Sequence, residues 1–120
     1  MKKLFIVDDE AEVTEVLKSH FQRRGLEVYS CSSGEEAVKL LLEKQPDLAL
    51  LDYKLEGPMT GLDVLKKIRE SGSTVKVIIS TGALEDKVKE EAITMGVETF
   101  LNKPLTMSTL DEVVENNLKD

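Results

Sequence analysis

Asp47-Leu48-Ala49-Leu50-Leu51-Asp52 is the stretch on which the fold turns, an apolar run closed by a carboxylate at Asp52. Three other runs end on a polar marker in the same way. Leu4-Phe5-Ile6-Val7 leads into Asp8-Asp9, Val77-Ile78-Ile79-Ser80 into Thr81, and Phe100-Leu101-Asn102 into Lys103-Pro104. Short unbroken apolar runs read as strands buried on both faces, the habit of parallel sheets covered by helices. Strands are expected at residues 3–7, 26–30, 47–52, 75–80 and 97–102. Helical patterns fill the intervals, at about 10–24, 35–45, 61–71, 84–95 and 106–118. In the first of these Val13, Val16, Leu17 and Phe21 recur at helical spacing, and Gly25 suits its end. Ser33-Gly34-Glu35-Glu36 opens the second with a capping-box pattern, and Pro46 forbids it to run on. Gly72 and Gly96 close the third and fourth.

This alternation predicts a doubly wound, parallel five-stranded α/β sheet. The runs at 26–30 and 97–102 carry polar residues and belong at the edges, which gives a flavodoxin-like (βα)5 order of 2-1-3-4-5. The first and third strands are then neighbours, and Asp8-Asp9 ends beside Asp52. Open sheets of this kind bind ligands beyond the carboxyl ends of their strands, so the four markers share one crevice. No linker, repeat or low-complexity segment interrupts the pattern, and residues 1–120 are expected to form one domain.

Composition narrows the function by exclusion. With 41% apolar and 32% charged residues, the 120-residue chain is an ordinary globular domain with room for a core. A net charge of −7 argues against direct nucleic-acid binding, since a polyanion would be repelled. The apolar stretch after Met1-Lys2-Lys3 stops at Asp8, too soon for a signal peptide. No run approaches the roughly 18 apolar residues of a membrane span. The single Cys31 cannot form an internal disulfide, which fits a cytoplasmic protein, and it reads as a small apolar residue just past a strand.

Three carboxylates in one crevice repel each other and call for a cation. Mg²⁺ takes oxygen ligands in octahedral geometry; Asp9 and Asp52 suit direct coordination and Asp8 coordination through water. Carboxylates also accept phosphoryl groups covalently. A phosphoryl group on Asp52 would present three charged oxygens, to be met by Mg²⁺, the Lys103 ammonium and the Thr81 hydroxyl. Each marker has a plainer reading when taken alone. Asp8, Asp9 or Thr81 can cap the helix that follows, and Lys103-Pro104 can be an exposed turn. Capping does not account for all four standing at strand ends in this order.

On these residues the chain resembles, over essentially its whole length, the receiver domains of bacterial two-component response regulators. The resemblance rests on the pair Asp8-Asp9, the acceptor Asp52, the hydroxyl Thr81 and the pair Lys103-Pro104. It implies phosphorylation of Asp52 by a sensor histidine kinase or a histidine phosphotransfer protein, with Mg²⁺ required and the main-chain carbonyl of Lys54 as a further metal ligand. It implies a cis bond between Lys103 and Pro104. It also implies that Phe100 is a switch residue moving with Thr81, carrying the signal to the fourth helix, fifth strand and fifth helix. Val13, Val16 and Leu105 are candidates for a docking patch, and the downstream effector or output domain is not named by the sequence.

One stretch departs from the pattern. Receivers usually read Met-Pro-x-Met-Asp-Gly after the acceptor, whereas this chain reads Leu55-Glu56-Gly57-Pro58-Met59-Thr60-Gly61. The glycine arrives one residue late, so the loop is expected to be longer and differently shaped at the rim. The competing class is a Mg²⁺-dependent phosphatase or phosphotransferase acting on a diffusible substrate. Such enzymes place a general acid two residues past the nucleophile, and here that position is Lys54. No Gly-rich phosphate loop follows the first strand.

Overall fold

The apolar runs pair as expected, into one parallel sheet. In a computed structural model, which describes residues 1–83 and 85–119, the strands are β1 (Lys3–Val7), β2 (Glu27–Cys31), β3 (Leu48–Asp52), β4 (Lys76–Thr81) and β5 (Thr99–Asn102). The helices are α1 (Ala11–Arg23), α2 (Gly34–Lys44), α3 (Gly61–Glu70), α4 (Asp86–Thr94) and α5 (Met107–Leu118). The strand order is β2-β1-β3-β4-β5. β1 lies between β2 and β3, with Val7 opposite Cys31 on one side and Leu51 on the other. Asp52 is opposite Ser80, and Thr81 is opposite Asn102.

Successive side chains of a strand point to opposite faces, and each face here has its own core. Phe5, Val7, Ala49, Leu51 and Ile79 pack with Ala37 and Leu41 of α2, Leu65 and Ile68 of α3, and Ala92 of α4. Leu4, Ile6, Leu48, Leu50 and Ile78 pack with Leu17 and Phe21 of α1 and Leu110 and Val114 of α5. All five residues of β3 are buried, as are the last five of β4, while β5 is partly exposed throughout. That is the division into inner and edge strands which the polar residues of the fifth run announced.

Several boundaries differ from the sequence pattern, each for a local reason. Cys31 is the last residue of β2 rather than the first beyond it, and burial pushes its thiol up to about 12. Val97 does not join β5. Its N–H bonds the carbonyl of Ala92 past Gly96, which takes φ +92°, and its buried side chain closes the end of α4. The sequence put the start of α4 at Leu84, which lies outside the described residues; the helix is observed from Asp86. Ser33 caps α2 by accepting the Glu36 N–H, without the reciprocal bond of a capping box among the described residues. The complete box is at α3, where Thr60 and Asp63 exchange bonds. A cap of this sort contributes about 1 kcal/mol. His20 ties α1 to α5 through Asp111, at 2.6 Å, and Arg24 bonds the same carboxylate at 2.9 Å. His20 and then Arg24 hold that carboxyl below its usual range.

Candidate functional site

Because the strands are parallel, all five carboxyl ends point one way, and each hands its next residue to the same crevice. Asp8 follows β1 directly and is 4% exposed. Its N–H donates to the Cys31 carbonyl, and its Oδ1 accepts the Glu10 N–H at 2.9 Å, so backbone on both sides fixes the carboxylate. Asp52 ends β3 and is equally buried. Lys103 follows β5, and its N–H donates to the Thr81 carbonyl at 2.8 Å, which ties the chain to the end of β4. The Lys103–Pro104 bond is cis. From there the Lys103 ammonium reaches Asp52 Oδ2 at 2.8 Å and Asp8 Oδ2 at 3.2 Å.

The charges explain the titration of the site. Burial raises the Asp52 carboxyl above its ordinary value; Lys103 opposes the rise, and Asp8 and Asp9 add to it. Burial by itself would lower Lys103, but its bond to Asp52 and the charges of Asp52 and Asp8 prevail, and its pKa is raised. Two buried carboxylates thus share one ammonium. Every described buried side-chain N or O atom has a hydrogen-bond partner.

The other expected residues take different places. Asp9 is exposed, and its carboxylate lies with those of Asp8 and Glu10 in a group within 4.8 Å. Glu10 was not anticipated. Its carboxylate comes within 3.8 Å of the Lys103 ammonium, and the third acid after the pair was the visible signal. The donors are all oxygen, the set a hard divalent cation prefers, so the residues fit Mg²⁺. Asp8 and Asp9 do not cap α1, whose N-cap is Glu10, nor does Thr81 cap α4. Thr81 is buried at the end of β4, and its hydroxyl exchanges bonds with the main chain of Ala83. Phe100 is half-buried in β5, with the Lys89 ammonium of α4 5.3 Å above its ring. Lys54 is exposed.

The loop from Asp52 to Gly61 is held at both ends. Leu55 is buried in the core, and Glu56 pairs in parallel with Ser33 at the start of α2. The late glycine still opens α3, its N–H donating to the Tyr53 carbonyl at 2.7 Å. A Cβ at Gly61 would stand 2.4 Å from the Asp52 carbonyl oxygen. Between these ties the chain bends outward through the exposed Glu56-Gly57-Pro58, where Gly57 takes φ +87°, and returns so that Gly61 packs against the end of β3.

Residues 4–115 match the family model of the response regulator receiver domain. The chain belongs to that family. Sporulation initiation phosphotransferase F of Bacillus subtilis is 29% identical over 117 residues, covering 98% of this chain and 94% of that protein. The crystal structure of a LuxR-family DNA-binding response regulator from Staphylococcus aureus superposes with a TM-score of 0.85 at 28% identity, over 98% of both chains. The chemotaxis protein CheY4 of Vibrio cholerae shares the fold, with a TM-score of 0.88 at 24% identity over 98% of this chain and 99% of that one. The receiver domain is thus a phosphoacceptor module of two-component and phosphorelay signalling, and a diffusible-substrate phosphatase is not favoured.

Proposed function

We propose that residues 1–120 act as one receiver domain in which Asp52 is the phosphoacceptor. The observation that carries this is the Lys103 ammonium on Asp52, 2.8 Å away and shared with Asp8. In the reaction a carboxylate oxygen of Asp52 attacks phosphorus of a phosphohistidine on a sensor histidine kinase or histidine phosphotransfer protein. The P–N bond breaks, its electron pair stays on the imidazole, and that nitrogen takes a proton from solvent. Hydrolysis reverses the modification: water attacks phosphorus, inorganic phosphate leaves, and the Asp52 carboxylate returns. The domain thus promotes its own phosphorylation and dephosphorylation and has no other substrate.

Asp9, Asp52 and the Lys54 carbonyl would hold Mg²⁺ directly and Asp8 through water, and the cation would supply charge neutralisation for the phosphoryl oxygens. Lys103 would stabilise the same charge, and the Thr81 hydroxyl, freed from Ala83, would bond the new group. A phosphoryl group brings about −1.5 to −2 charge into the crevice. Phe100, six residues past the end of α4 and under the Lys89 ammonium of that helix, would pass that change to the α4–β5–α5 face. The donor docks beside the crevice, where Val13, Val16, Pro104, Leu105 and Met107 line an apolar groove of about 660 Å³. No helix is long and apolar enough to cross a membrane among the described residues, and we place the domain in the cytoplasm with its signalling partners.

Intact mass after incubation with acetyl phosphate and Mg²⁺ tests the assignment. Wild type should gain one phosphoryl group, ~80 Da by its composition, and lose the adduct when the cation is chelated. Asp52→Ala should gain nothing. An adduct on the alanine variant would overturn the choice of Asp52.

A further inference from the structure

Arg69 in the last turn of α3 makes no ion pair among the described residues; its guanidinium is spent on main-chain carbonyls. Nε donates to Met95 at 2.8 Å, Nη1 to Ser73 at 3.0 Å and Nη2 to Val75 at 2.8 Å. Ser73 and Val75 belong to the turn leading into β4, and Met95 is the residue on which α4 ends. The carbonyls of a last helical turn lack partners within the helix and carry partial negative charge. α4 has no basic residue in its own last turn. Arg69 brings the missing cation from the neighbouring helix, and with it a three-way joint between α3, β4 and α4.

The two ends of α4 are held very differently. Ala92 is its one buried residue, and Lys66 of α3 pairs with Glu91 at 3.2 Å. The Val97 N–H bonds the Ala92 carbonyl, so these ties all fall in the second half of the helix or just beyond it. At the other end the N-cap Glu85 makes no side-chain capping bond among the described residues, and residues 85–87 are exposed, as are Gly82 and Ala83 after Thr81. Midway along, Lys89 rests over the Phe100 ring.

We propose that α4 is a lever pinned at its carboxyl end by Arg69, so that a change at Thr81 swings its amino end while Met95 stays in place. The direction of the signal rests on the phosphoacceptor reading of Asp52; the pin is a property of the unmodified protein. Amide hydrogen exchange on the whole chain, without phosphorylation, examines the pin alone. In wild type the amides of Lys89 and Glu90 should exchange faster than those of Met95, Gly96 and Val97. Arg69→Met should speed the latter three by about tenfold or more, the scale of one lost charge-assisted hydrogen bond, and leave the former two nearly unchanged. Arg69→Lys, which keeps the charge but cannot fork to three carbonyls, should show the same pattern in weaker form and serves if the methionine variant does not fold. Acceleration spread evenly along α4, or none, would overturn the pin. Wild type treated with acetyl phosphate and Mg²⁺ should then change at Lys89 and Glu90 and not at residues 95–97. Equal change at both ends of a phosphorylated sample overturns the lever. A sample that gains no phosphoryl group counts against the Asp52 reading instead, and the unphosphorylated comparison still decides the pin.

Discussion

Replacing Gly61 by alanine should damage both the stability of the fold and the acceptor. The new Cβ would meet the Asp52 carbonyl oxygen at 2.4 Å, the Asp52 carbonyl carbon at 3.2 Å and the Tyr53 Cα at 3.1 Å. All three are backbone atoms, so no flexible side chain can turn aside. Ordinary contact begins near 3.4 Å, and either α3 or the end of β3 must shift by about 1 Å. Overpacking of this kind costs about 1–3 kcal/mol. Alanine recovers some of this, up to about 1 kcal/mol, because it restricts the unfolded chain and favours the helix. The net expectation is a loss of about 1–2 kcal/mol, or a fall in Tm of roughly 4–8 °C. The same shift strains the Gly61 N–H bond to the Tyr53 carbonyl and moves the backbone that carries the carboxylate. Urea unfolding should therefore be read together with the fraction phosphorylated by acetyl phosphate, with Gly82→Ala as the control. A Cβ at Gly82 meets nothing within 4 Å, and that variant should stay within about 0.5 kcal/mol of wild type. A Gly61→Ala protein with wild-type stability and wild-type phosphorylation would refute the reasoning.

Lys103→Met should destabilise the protein at neutral pH by roughly 2 kcal/mol. Stranding the partners of a fully buried pair costs about 3–5 kcal/mol, and the 22% exposure of Lys103 reduces the figure. The pKa of Lys103 is raised in the fold, so its stabilisation is complete below the unfolded value and is lost only as pH climbs through the folded one. Asp52 is also raised, so it favours the folded state as pH falls through the carboxylate range, and the variant should approach wild type there. Denaturant midpoints at several pH values measure this, and a deficit that does not change with pH would contradict it. Lys54→Ala should alter the lifetime of the phosphoryl group severalfold while leaving its acceptance nearly intact, because the exposed side chain stands at the rim and touches neither buried carboxylate. Autodephosphorylation followed by mass would show an unchanged rate if that is mistaken.

The sheet was legible because burial on two faces leaves a plain mark: residues 48–51 and 77–79 are apolar without interruption. The crevice was legible because parallel strands carry their terminal residues to one edge, so Asp8, Asp52 and Lys103 could be placed together before their contacts were known. What escaped had no pattern in the chain. The capping box at α3 uses aspartate in place of the usual Glu or Gln, so Thr60-Gly-Leu-Asp63 did not stand out while Ser33 did. Glu10 carries no mark in the sequence beyond being an acid after Asp8-Asp9, and only the fold brings it to Lys103. Arg69 bonds carbonyls, which every residue possesses, so no residue type elsewhere in the chain points to it. Val97 looked like strand because it is β-branched and apolar, and the tertiary demand to close α4 overrode that propensity.

The parallel sheet has a consequence for anyone who would rewire the chain. Strands start, and helices finish, on the side away from the crevice. Lys2, just before β1, and Lys119, just after α5, accordingly line the same cleft of about 540 Å³ with the first residue of β4. A domain whose first strand starts and last helix finishes this close together is suited to circular permutation. A short linker could join them, and new ends could be cut in the exposed turn at Ser71-Gly72 on the same side. β1, the inner strand that now begins the fold, would become an internal segment, while Asp8, Asp52 and Lys103 would keep their places on the opposite edge.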